Sequence, residues 1–149
     1  MSGVLTQQQL EELSERHQAY QYQAESLAQQ INMVKLTIRD VESALTTITS
    51  IKDEPAGQET LVPVGFGSFV KATLTTTDTV VVGVGAGVSV EKNIDDAKVF
   101  LDKKKEELSK YLEQLNGTIT KIGQELQNIQ KLVQKHQQAQ HAQQPMRAQ

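Results

Sequence analysis

The chain has 149 residues, no cysteine, no tryptophan, three tyrosines and three phenylalanines, and a formal charge of -3 at neutral pH. So few large apolar side chains cannot fill an ordinary globular core, zero cysteines exclude disulfides and thiolate chemistry, and there is no basic stripe to neutralise a phosphate backbone, so no nucleic-acid partner is expected. The N-terminus lacks a basic segment followed by an apolar run, and no stretch reaches the roughly 18 to 20 apolar residues of a membrane span, so the expectation is a cytoplasmic protein without a membrane partner.

From Leu10, residues recur at alternating spacings of three and four: Leu10, Leu13, His17, Tyr20, Ala24, Leu27, Ile31, Val34, Ile38, Val41, Leu45 and Ile48. A seam sustained this long, with one polar member, His17, predicts a coiled-coil helix over residues 6–52. Thr6 with Gln9 fits a capping box at its start, and the run from Asp53 to Gly57 stops it.

Residues 59–92 abandon the heptad. Short runs rich in valine and threonine, from Glu59 to Gly65, Phe69 to Leu74, Thr79 to Val84 and Val88 to Lys92, predict four strands in two hairpins. Pro63 cannot donate to a ladder, so the first strand should lie at an edge or carry a bulge. Two isolated hairpins are at best marginally stable in water, and the helices are expected to use their apolar stripes on each other. Cover must then come from other chains, which points to an intersubunit sheet or barrel. Its expected oligomerisation residues are Leu61, Val62, Val64, Val70, Leu74, Val80, Val82, Val84, Val88 and Val90.

A second seam runs Ile94, Ala97, Leu101, Lys104, Leu108, Tyr111, Leu115, Ile119, Ile122, Leu126, Ile129 and Val133, predicting a helix over 93–138. Asn93 fits as N-cap, with Asp95 and Asp96 in the first turn where carboxylates suit the helix dipole. The step of four from Leu115 to Ile119, where three is due, is a stutter that predicts a bend or soft point at Asn116–Gly117. The off-seam residues Val99, Phe100 and Leu112 are expected to pack against the β body shared with other chains. Residues 139–149 read as a Gln-rich, disordered tail. The two seams match in length, roughly 60 Å at ~1.5 Å per residue, so the chain should fold back on itself, bringing Leu10 near Val133 and Ile48 near Ile94. The expected fold class is α+β, mainly α: a single domain over 1–149, built as an antiparallel two-helix coiled-coil hairpin with two β-hairpins between the helices.

The order helix, two hairpins, helix, together with the segments Leu61 to Gly65 and Val84 to Lys92, resembles the alpha class of prefoldin subunits over nearly the whole chain. Lack of cysteine and the glycine-rich form from Val84 to Val88 look archaeal. The resemblance implies a hexamer of two alpha and four beta subunits whose strands form a double β-barrel platform carrying six coiled coils. It also implies an ATP-independent holdase that captures unfolded client proteins at the coiled-coil tips and delivers them to a group II chaperonin. The residues favour such a role on their own account. Leu5, Leu10, Leu13, Leu132 and Val133, the candidate client-binding residues, belong to helix turns near both termini, where fraying is easiest. Apolar contacts worth about 25 cal/mol per Å² of buried area are weak singly and add over several tips, which permits release without nucleotide.

Enzymatic chemistry is not expected. The stretches Gly83 to Gly87 and Gly65 to Gly67 lack the context of a phosphate loop and read as turns. His17, His136 and His141 have no metal-ligand spacing, and the pairs Asp95–Asp96 and Glu106–Glu107 lie beside lysines as solvated charge. No catalytic residue, cofactor or metal site emerges. Two other readings compete: a structural tether that uses the strands only to assemble, and a self-assembling relative that forms rings or filaments.

Overall fold

Each helix begins where a side chain can satisfy the free amides of its first turn. Thr6 Oγ1 accepts from the Gln9 amide at 3.2 Å while Gln9 Oε1 accepts from the Thr6 amide at 2.9 Å, the reciprocal arrangement of a capping box. Asn93 Oδ1 accepts from the Asp96 amide at 2.8 Å, and its Nδ2 donates to the Asp96 carboxylate at 3.0 Å. In the computed structural model, which describes residues 3–143, these caps open α1 (Gln7–Lys52) and α2 (Ile94–Gln143). Between them lie β1 (Glu59–Gly65), β2 (Ser68–Thr73), β3 (Thr79–Gly85) and β4 (Val88–Asn93). The helix α2 continues past residue 138 to Gln143, so the first part of the expected tail is helical; residues 144–149 lie outside the described residues. No described helix is long and apolar enough to cross a membrane.

The chain divides into two compact units, one holding the helix segments up to Val34 and from Tyr111, the other spanning Lys35–Lys110. In the first, Arg16 lies 3.9 Å from Glu125 and the Leu5 amide reaches His136, so the two segments run antiparallel. Ile31, Val34, Leu115, Ile122 and Ile129 are buried there. In the second, Glu42 pairs with Lys105 at 3.1 Å and Lys52 with Asp95 at 2.8 Å, again antiparallel.

Every seam residue named for α1 is buried or half-buried. In α2 two are not. Lys104 and Tyr111 are exposed, and Lys105 and Leu112 take their places. Lys104 instead extends over the Phe100 ring, 5.8 Å from its centroid, with Lys92 at 5.6 Å, where a cation is attracted to the π face. Lys105 reaches across the seam to Glu42. Two successive steps of four, from Ala97 through Leu101 to Lys105, therefore carry the stutter that was expected at Asn116–Gly117, and the helix is unbroken through those two residues. Val99 is exposed in the chain by itself, and Leu112 serves the seam.

The two hairpins are built alike. Glu59↔Thr73 through Gly65↔Ser68 in the first correspond to Thr79↔Asn93 through Gly85↔Val88 in the second, twenty residues later throughout, with a bulge before each turn. In the first hairpin the bulge follows Pro63, the residue without a ladder donor. The turns Phe66–Gly67 and Ala86–Gly87 have positive φ at both positions (48° and 69°, 52° and 74°), matching the twist of two-residue hairpins.

The hairpins differ in cover. Val82 is buried with Ile48, Ile94 and Ala97, and Val80, Ile51, Phe100 and Leu101 pack around this core. The helices thus do cover one face of the second hairpin, against the expectation that their stripes are used wholly on each other. Val82→Ala should therefore cost about 1 to 3 kcal/mol of unfolding free energy in urea titration, whereas Val64→Ala, at an exposed position, should stay within about 0.5 kcal/mol.

The hydrogen bond from Lys52 Nζ to Asp95 joins the C-terminal residue of α1 to the first turn of α2, each charge at the helix end whose dipole favours it. That bond, with the attraction between the charges, raises the Lys52 pKa and lowers that of Asp95. The Asp95 contribution to stability is present above its unfolded pKa and is lost as pH falls through the lowered folded value; the Lys52 contribution is lost only as pH rises through its raised value. Both side chains are substantially exposed, so salt screens the pair. The stability gap between the native chain and Asp95→Asn, followed by thermal unfolding, should narrow in acid and in high salt.

Candidate functional site

Two surfaces have the character of working sites, one in each unit. The first is the hairpin β1–β2. Strand geometry sends alternate residues to opposite faces, and the register groups Val62 with Val70 on one face and Leu61 and Pro63 with Phe69 on the other. Leu61 and Phe69 are each 58% exposed, Val62 44% and Val70 52%. The hairpin is apolar on both sides, a pattern found in strands buried on both faces, and only Thr60 and Ala72 along it are half-buried.

Of the ten expected oligomerisation residues, Leu61, Val62, Val64, Val70, Val84, Val88 and Val90 are exposed. Leu74 and Val80 are half-buried, and Val82 departs from the expectation because its side chain is taken up by the chain's own core. Sequence reading missed Phe69, Val81 and above all Phe66. The Phe66 ring is fully exposed at the tip of the first turn, with a φ of 48° that disfavours a bulky side chain. The corresponding residue of the second turn is Ala86. The sequence signal was there, an aromatic between two glycines at the middle of a hairpin.

The second surface belongs to the unit that holds both ends of the chain. A groove of about 570 Å³ lies between α1 and α2, with Leu10, Leu13, Ile129 and Val133 as its apolar part and Gln18, Gln21, Gln130 and Gln134 among its polar part. His17 and Ser14 complete it, so none of its lining residues is an acid, a lysine or an arginine. A smaller groove of about 170 Å³ is lined by Leu5, Gln9, Glu12, Leu13, Arg16 and Leu132. The five residues singled out in the sequence, Leu5, Leu10, Leu13, Leu132 and Val133, thus all line one groove or the other. Among the described residues no cluster of three potential metal ligands occurs. What such grooves offer is apolar contact edged by amides.

Comparison with known proteins agrees on one family. The family model described as prefoldin subunit matches residues 20–139. The chain is similar to prefoldin subunit alpha of Methanococcoides burtonii, with 40% identity over 128 residues covering 86% of this chain and 93% of the relative. With the same subunit of Methanosarcina barkeri the identity is 41% over 141 residues, covering 93% and 98%. Among solved structures, the cryo-EM structure of filamentous PFD from Methanocaldococcus jannaschii matches with a TM-score of 0.68 and 28% identity, covering 78% of this chain and 96% of that one.

The strained turn gives a test that separates folding from assembly. Phe66→Gly removes an unfavourable left-handed aromatic, which should leave the stability of the chain unchanged or raise it by up to about 1 kcal/mol. If the ring docks on a neighbouring chain, the same variant should weaken association, read by sedimentation at falling concentration.

Proposed function

Because the chain belongs to the prefoldin family and is similar throughout to its alpha subunits, we propose that it is a subunit of an ATP-independent chaperone that holds unfolded proteins and performs no catalysis. In this reading the strands join those of other prefoldin subunits in a β-barrel platform, two alpha with four beta subunits. Clients are captured in the grooves near the chain termini and delivered to a group II chaperonin in the cytoplasm. The observation that carries the reading is the uncharged groove from Leu10 to Gln21 and Ile129 to Gln134, on a chain whose first hairpin leaves both apolar faces open. A groove without fixed charge accepts apolar segments regardless of the client's charge, and several such grooves acting together supply avidity without nucleotide.

A second arrangement has its own support. The solved structure that the chain resembles is of a filamentous assembly, and a chain with two hairpins of the same register offers edge strands on each through which copies could join. Weighing the chain without beta subunits distinguishes this homomeric form from the mixed hexamer.

The test of the holdase is suppression of aggregation of a chemically unfolded protein, without nucleotide, by this chain mixed with a beta subunit. Suppression near stoichiometric amounts is expected. Removing residues 1–13 and those from Leu132 onward should spare assembly and reduce holding severalfold. A stable complex that leaves aggregation unchanged would identify a tether instead.

A further inference from the structure

Among the described residues, the backbone ahead of α1 is fastened to α2 by a hydrogen bond. The Leu5 amide donates to Nδ1 of His136 at 2.9 Å, across 131 positions of sequence. His136 is only 5% exposed, at a position that reads in sequence as the edge of a polar tail. Gly3 lies along the same stretch of helix: a Cβ placed there would stand 3.7 Å from both the Ala139 side chain and the Lys135 carbonyl oxygen. Residues 3–5 thus form a short strap laid on α2, with the imidazole as its anchor. The strap brings Leu5 into the groove shared with Leu13 and Leu132.

The chemistry of the anchor is restrictive. A backbone N–H can only donate, so Nδ1 must be unprotonated and the neutral ring must carry its proton on Nε2. Charging the ring places a second donor on Nδ1, directly opposing the Leu5 N–H, and the bond is lost. No carboxylate among the described residues bonds to the ring to hold it charged. Glu12 and Arg16 of α1 line the groove that Leu5 enters, with Glu11 and Glu15 the other charged residues of that end of α1, and Lys131, Lys135 and His141 are the charged or titratable residues on the same stretch of α2 as His136. Arg16 is itself 3.9 Å from Glu125.

We propose that His136 is an acid-sensitive latch on the N-terminal strap, closed while the imidazole is neutral and released when it is protonated. Because the closed form requires an unprotonated Nδ1, closure strengthens as pH rises and opening is favoured as pH falls. Release takes Leu5 away from Leu13 and Leu132 and opens that groove. The consequence for client capture, stronger holding in mild acid, rests on the holdase reading; the latch does not.

The experiment is hydrogen exchange at the Leu5 amide of the full-length chain, corrected for intrinsic exchange, between about pH 5 and about pH 8. Protection should fall about tenfold at the acid end. His136→Gln, which can accept a hydrogen bond but does not titrate, should abolish the pH dependence, while His17→Gln and His141→Gln should leave it intact. Protection that is constant with pH in the native chain overturns the latch, and the native chain alone decides this even where a variant misfolds. So does a pH dependence that survives in His136→Gln. Aggregation suppression across the same range is a separate reading: release without any change in holding upholds the latch and contradicts its coupling to clients.

Discussion

A two-stranded hairpin with apolar side chains on both faces cannot bury them by itself, and this chain has one. The helices cover part of the second hairpin, because Ile48 at the end of one seam and Ile94 and Ala97 at the start of the other close over Val82, while Val81, Val84, Val88 and Val90 stay exposed. They offer nothing equivalent to Leu61, Val62, Phe69 and Val70. The identical register of the two hairpins makes the contrast informative. The same backbone, with the same bulge and turn, is partly covered once within the chain and left open once, so the open copy is available to other chains as built. Open apolar edges invite uncontrolled pairing, and closure by sister subunits is the solution that removes them.

The helical part was legible because its signal is long. Twelve a/d positions in α1 average out any local exception, and all of them face inward. Caps were legible too, since Thr6 with Gln9 and Asn93 with Asp96 use chemistry confined to four residues. What sequence could not supply was the phase of α2 near the strands. Lys104 and Lys105 are chemically interchangeable in a periodicity argument; what separates them is the Phe100 ring beneath one and Glu42 opposite the other. Nor could a pattern of alternating valines say which hairpin would be covered, because that depends on where the helix ends are placed in space.

The candidate site was legible in its apolar members and not in its polar ones. Leu10, Leu13 and Val133 follow from the seams and Leu5 and Leu132 from their place near the chain ends, and all line grooves. His136 sits in a run of glutamines and alanines that reads as featureless, yet it is buried and bonded to a residue at the other end of the sequence. Such a pairing leaves no local trace. Phe66 escaped for the opposite reason: its context pointed to a turn, and the aromatic within it was absorbed into that reading.

These features meet in the proposal that the strands of this chain are completed by other chains. The most direct measurement is amide exchange across β1 and β2 together with solution mass, first for the chain alone and then with a beta subunit. The account predicts an alone state that is either self-associated or unprotected in β1 and β2, and strong protection of both strands once the mixed complex forms. A stable monomer already protected throughout β1 and β2, with no gain on adding the partner, would contradict it.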